Sequence, residues 1–90
     1  MVTKPWNVLL AKQAQKDAKK IAKSPLKEQA KKILAILESN PLQTPPSYEK
    51  LIGDLSGFYS RRLNIQHRIV YEVFTKEHTV VIASMWSHYE

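Results

Sequence analysis

Ninety residues, 43% of them hydrophobic, are enough for one small domain with a core and exclude wholesale disorder. The absence of cysteine excludes disulfides and cysteine-based zinc sites. The opening MVTKPWNVLL has too short an apolar run for a signal peptide or a membrane span, so a soluble cytoplasmic domain over residues 1–90 is the expectation.

In chain order, Trp6–Ala11 after Pro5 reads as a short strand. The period then changes: Ala11, Ala14, Ala18, Ile21 and Ala22 fall at helical spacing, with lysines between them. Ser24-Pro25 interrupts this pattern and predicts a second helix, with serine as N-cap and proline at its first position. Leu26, Ala30, Ile33, Leu34 and Leu37 form that helix's apolar stripe, which stops near Asn40-Pro41. Two antiparallel helices joined by a tight turn follow from this spacing.

Pro41–Asp54 is a connector of about fourteen residues with three prolines and one of the two glycines, long enough to carry function. Beyond it the period drops to two. SGFYSRRLN, HRIVYEVF and TVVIASMW predict three strands in a meander. In the middle strand Ile69, Tyr71 and Val73 point toward the helices and Arg68, Val70 and Glu72 point away. The expected architecture is therefore α+β, in the order β-α-α-β-β-β, with an antiparallel sheet carrying both helices on one side.

Charge divides the chain as sharply as periodicity does. The whole excess of +6 sits in residues 1–40, where nine lysines face only Asp17, Glu28 and Glu38. Residues 41–90 balance five basic with five acidic groups and hold all three arginines, Arg61, Arg62 and Arg68. Lysine meets phosphate as a mobile point charge and arginine as a planar fork, so the first half suits diffuse contact with a polyanion and the second a defined anion site. The bland alternative is that the lysines keep a helix soluble.

No phosphate-binding loop, HExxH or nucleophile elbow occurs, and His67, His78 and His88 lack metal-ligand spacing; no cofactor is expected. Polar groups gather in the β half: Glu49, Lys50, Arg61, Arg62, His67, Arg68, His88 and Tyr89. A base, a cation and an acid are what RNA cleavage without metal requires, and Glu, Arg and His can supply them. The competing roles are structural. Arg61 and Arg62 must face opposite sides of a strand, and Arg61 is expected to be the solvated or helix-facing salt-bridge partner. His67 is expected to make structural hydrogen bonds and His78 to be solvated in a hairpin turn. Trp6, Phe58, Tyr71 and Trp86 suit a core or a dimer surface, Tyr59 could go either way, and His88-Tyr89 alone would read as a frayed end.

The string YEKLIGDLSGFYSRRLNIQHRIVYEV, followed after a hairpin by MWSHYE, resembles the Txe/YoeB family of toxins from toxin–antitoxin systems, within the RelE-like ribosome-dependent endoribonucleases. The resemblance is strongest over residues 48–90. It extends more loosely through the helical hairpin to KPWNVLLAKQAQKDAKK. It implies a twisted antiparallel sheet with two N-terminal helices, and cleavage of mRNA in the ribosomal A site. It implies Glu49 as general base, Arg68 as the stabiliser of the transition-state phosphate, His88 as general acid, and Tyr89 and Arg62 as substrate contacts. Where the family often carries a lysine, this chain has Ile52, with Lys50 the nearby cation; Asp54 stands as the alternative carboxylate to Glu49. The resemblance also implies a YefM/Phd-type antitoxin, contact with operator DNA only through the antitoxin complex, and a homodimer. The alternative function is a non-enzymatic ParE-like toxin that binds DNA gyrase, a fold relative for which the His88-Tyr89 pair and Arg68 would have no use.

Overall fold

The alanine-rich stripe and its lysine flanks build helix α1, Lys12–Ala22, and the leucine–isoleucine stripe builds α2, Lys27–Ser39. In the computed structural model, which describes residues 5–44, 47–51, 57–64 and 67–88 (the last three by backbone alone), five strands accompany them. These are β1 (Asn7–Leu10), β2 (Glu49–Lys50), β3 (Phe58–Arg62), β4 (His67–Phe74) and β5 (Thr79–His88). The predicted elements thus occur in their expected order, and β2 is an addition within the connector. Two residues carry no readable alternation, which is why the sequence hides it. None of the described helices is long and apolar enough to cross a membrane.

The sheet order is β1-β5-β4-β3-β2. The β2–β3, β3–β4 and β4–β5 pairs are antiparallel, as short turns demand. β1 departs from the expected all-antiparallel sheet: it pairs parallel with β5, in register from Asn7↔Thr79 to Leu10↔Ile82. Strand direction follows from the path of the intervening helices, and local pattern does not encode it.

Ala14, Ile21, Ala30, Ile33 and Leu37 from the helices meet Ile69, Tyr71, Val80, Ile82 and Met85 from β4 and β5 in one core. Ile69 and Tyr71 face inward as their alternation predicts, and both are fully buried. β5 changes parity on the way: Tyr71 pairs Ile82, yet Val70 pairs Ser84, so a residue is inserted in β5 relative to β4. That irregularity sends Met85 into the core and leaves Ser84 half-buried.

Two local expectations, for Ser24 and His78, need correction, and Asp17 has a place that the sequence did not mark. Ser24 does not cap α2, which begins at Lys27. Its Oγ instead donates to the Ile21 carbonyl (2.9 Å) and accepts from the Leu26 N–H (3.1 Å), closing the turn between the helices. Asp17, on the apolar side of α1, is only 3% exposed; Oδ2 accepts the Met85 N–H at 3.0 Å and Oδ1 accepts from Gln13 at 2.9 Å. His78 does lie in the β4–β5 hairpin turn, with a left-handed φ of 53°, but it is half-buried and stacks on Trp6 at 4.1 Å between ring centroids. The two rings meet because the parallel pairing lays the start of β1 beside that turn, where the Asn7 N–H donates to the His78 carbonyl.

Candidate functional site

The face of the sheet away from Ile69 and Tyr71 carries the anion-binding groups, because strand parity separates them from the core. β3 places Ser60 and Arg62 on this face and Arg61 on the other. Register then assembles the site: Glu49 lies opposite Ser60, and Arg62 opposite Arg68. The Arg68 Nη1 donates to Glu49 Oε1 at 3.1 Å and to Ser60 Oγ at 3.2 Å. Arg68 is 13% exposed at its side chain and Glu49 60%, so a half-sunken cation is paired with a carboxylate open to solvent. Ser47, Tyr48, Glu49, Ser60, Arg62 and Arg68 line a cleft of about 110 Å³.

Three of the sequence-predicted site residues, Glu49, Arg62 and Arg68, therefore meet in one cleft. Lys50 is exposed opposite Tyr59 and is not among the cleft's lining residues, as its place next to Glu49 on a strand requires. His88 is described by its backbone: it ends β5 opposite His67, one residue beyond the Arg68↔Ser87 pair. Tyr89, Ile52 and Asp54 and the side chain of Trp86 lie outside what is described. The residues that sequence reading missed are Ser60, Tyr48 and Ser47. Ser60 was within reach of it, since it shares the parity of Arg62 in YSRR.

Beneath the cleft Arg61 is 1% exposed, so it is not solvated. It faces the helix side, as expected, and its donors reach neutral acceptors among the described residues. Nε donates to the Tyr71 hydroxyl at 3.0 Å, and Nη2 donates to the carbonyls of Pro41 at 2.9 Å and Gln43 at 2.8 Å. The Tyr71 hydroxyl in turn donates to the Pro41 carbonyl at 3.1 Å. Burial pushes the Tyr71 phenol above its ordinary range, and the adjacent Arg61 charge pulls partly the other way. Tyr48 and Tyr59 meet edge to face, and Tyr59 stacks on Tyr71, so an aromatic row backs the cleft. His67 is buried, and its backbone N–H donates to Asn64 Oδ1 at 2.7 Å. Among the described residues no three His, Asp or Glu side chains gather as a metal ion would need.

The fold, a two-helix layer on a five-stranded mixed sheet, has counterparts among solved toxins. A chain of the YoeB–YefM complex from Staphylococcus aureus aligns with a TM-score of 0.79 at 32% identity, covering 93% of this chain and 98% of that one. The YoeB dimer from the same organism gives the same figures. The YoeB/ParE toxin from Agrobacterium tumefaciens shares the fold at TM-score 0.83 and 21% identity, over 92% and 99% of the two chains. No curated protein matches in sequence. The family model for the YoeB-like toxin of bacterial type II toxin–antitoxin systems matches residues 10–89. The chain belongs to that family of toxins.

Proposed function

We propose that this toxin is an mRNA interferase, a single-domain cytoplasmic enzyme that enters the ribosomal A site and cuts the message there. The observation that carries the reading is the Glu49–Arg68 contact inside a cleft that also holds Arg62. Glu49 takes the proton of a 2′-hydroxyl, and the 2′-oxygen attacks the adjacent phosphorus. Arg68 and Arg62 hold the charge that builds on the non-bridging oxygens. His88 gives its proton to the departing 5′-oxygen, leaving a 2′,3′-cyclic phosphate on one fragment and a 5′-hydroxyl on the other. Tyr89 orients the substrate.

The resting contact gives the sequence of events a logic. An incoming phosphate competes with Glu49 for Arg68 Nη1, so binding frees the carboxylate oxygen that must accept the hydroxyl proton. Ser60 Oγ keeps Arg68 placed during the exchange. Eight exposed lysines between Lys12 and Lys32 supply sequence-independent attraction to ribosomal RNA, which makes association salt-sensitive.

The relatives' partners support the same assignment here: a YefM/Phd-type antitoxin that neutralises the toxin and brings it to operator DNA, and a homodimer. Primer extension on translated and untranslated message tests the enzyme. Cleavage confined to translated message and lost in Glu49→Ala, Arg68→Ala and His88→Ala is the expected result. Arrested DNA supercoiling with intact message would instead make it a gyrase-binding toxin.

A further inference from the structure

Arg61 heads the large side chains that are fully buried among the described residues, yet the chemistry above gives it nothing to do. Its partners are instructive. The carbonyls of Pro41 and Gln43 mark where the connector leaves α2, and its guanidinium lies 5.2 Å over the ring of Tyr48, where the connector enters β2. One side chain therefore grips both ends of the 41–48 segment. Glu49 follows Tyr48 directly and lies opposite Ser60, the residue next to Arg61 on β3. Arg68 reaches the same spot from β4.

We propose that Arg61 is a positioning residue: by clamping the connector to β3 it fixes where Glu49 stands relative to Arg68, touching neither substrate nor reacting atoms. The inference rests on the ribonuclease reading of the cleft and adds the part that holds its base in place. Only arginine suits the task, since two carbonyls, one hydroxyl and one aromatic face demand a planar cation with several donors. A buried guanidinium is a poor way to gain stability compared with an apolar side chain, so a role in specifying one geometry is the physical reason to have it here. β2 is two residues long, too short to set the place of Glu49 through ladder bonds alone.

The test compares Arg61→Met and Arg61→Lys with the parent chain by three readings. These are the single-turnover rate of cleavage of ribosome-bound message, affinity for the ribosome, and hydrogen exchange of backbone amides. The expected result is a rate loss of roughly 100-fold, as for a small displacement of a catalytic group, with ribosome affinity within about two-fold of the parent. The Leu51 N–H, bonded to the Phe58 carbonyl at 2.9 Å, should lose protection while amides of β4 and β5 keep theirs. A parental rate with Leu51 deprotected overturns the proposal. So does a rate loss with Leu51 still protected, and so does a loss of protection spread evenly through β4 and β5, which would make Arg61 ordinary core. If Arg61→Met fails to fold, the same readings on Arg61→Lys decide. A parent that does not cut RNA sinks the ribonuclease reading instead, and with it the catalytic part of this one; Leu51 exchange then still reports whether Arg61 holds the connector.

Discussion

Asp17 and Met85, 68 residues apart, are joined by a 3.0 Å hydrogen bond from the Met85 N–H to Asp17 Oδ2, inside the interface of α1 with β5. The bond sits where β5 has just changed parity, at an amide the irregular ladder cannot serve in the ordinary way. Asp17→Ala leaves that buried N–H without its acceptor and should cost about 1–3 kcal/mol. Asp17→Asn keeps an oxygen there and should cost less. Urea unfolding midpoints of the two variants check the order; equal midpoints would mean that the bond contributes nothing.

Ser60 is fully buried and accepts a hydrogen bond from Arg68 Nη1 at 3.2 Å. Ser60→Ala removes that hydrogen bond without opening a large void. Cleavage should fall roughly ten-fold, the kinetic equivalent of one hydrogen bond to a charged group, while the thermal midpoint moves little. Single-turnover cleavage and a melting curve on the same preparation separate the two effects.

Alkaline stability should expose the buried phenol. The folded-state pKa of Tyr71 is raised by burial, so folding protects the neutral form. Its contribution to stability is complete below the unfolded value of 10.0 and is lost as pH climbs through the folded value. Unfolding free energy measured from pH 9 upward should therefore fall more steeply for the parent than for Tyr71→Phe, which has no proton to lose there. Matching slopes would show that the phenol does not titrate differently on folding.

Trp6 and His78 offer a clean double-mutant cycle. Asparagine tolerates the left-handed backbone of position 78, so His78→Asn removes the ring with little added strain. Combined with Trp6→Leu, the cycle should give a coupling of about 0.5–1.5 kcal/mol, the range for stacked aromatic pairs. Additive losses would reduce the stack to simple proximity.

Much of this architecture was legible because periodicity reports which face of an element meets a core. The stripes of α1 and α2 and the inward set Ile69 and Tyr71 follow from spacing alone. So does the separation of Arg61 from Arg62, since neighbours on a strand cannot share a face. What those faces meet was not legible. Arg61 finds carbonyls 18 and 20 residues away, Asp17 an amide 68 away, and His78 a tryptophan just before β1. Each depends on chain direction, and the parallel entry of β1 beside β5 leaves no local mark. Within the cleft the carboxylate and arginines stood out as residue types, whereas the serine that steadies Arg68 has a side chain too common to attract notice.

The place of β5 has a bearing on how the protein is made. The last strand in chain order is an interior one, flanked by β1 on one side and β4 on the other. Until residues 79–88 have been synthesised, β1 has no strand to pair with, Asp17 has no Met85 amide to bind, and the core lacks Val80 and Ile82. Contacts of such long sequence separation form late and slowly. A nascent chain therefore lacks the centre of its sheet until residues 79–88 are available, and the helices have no complete core to close on before then.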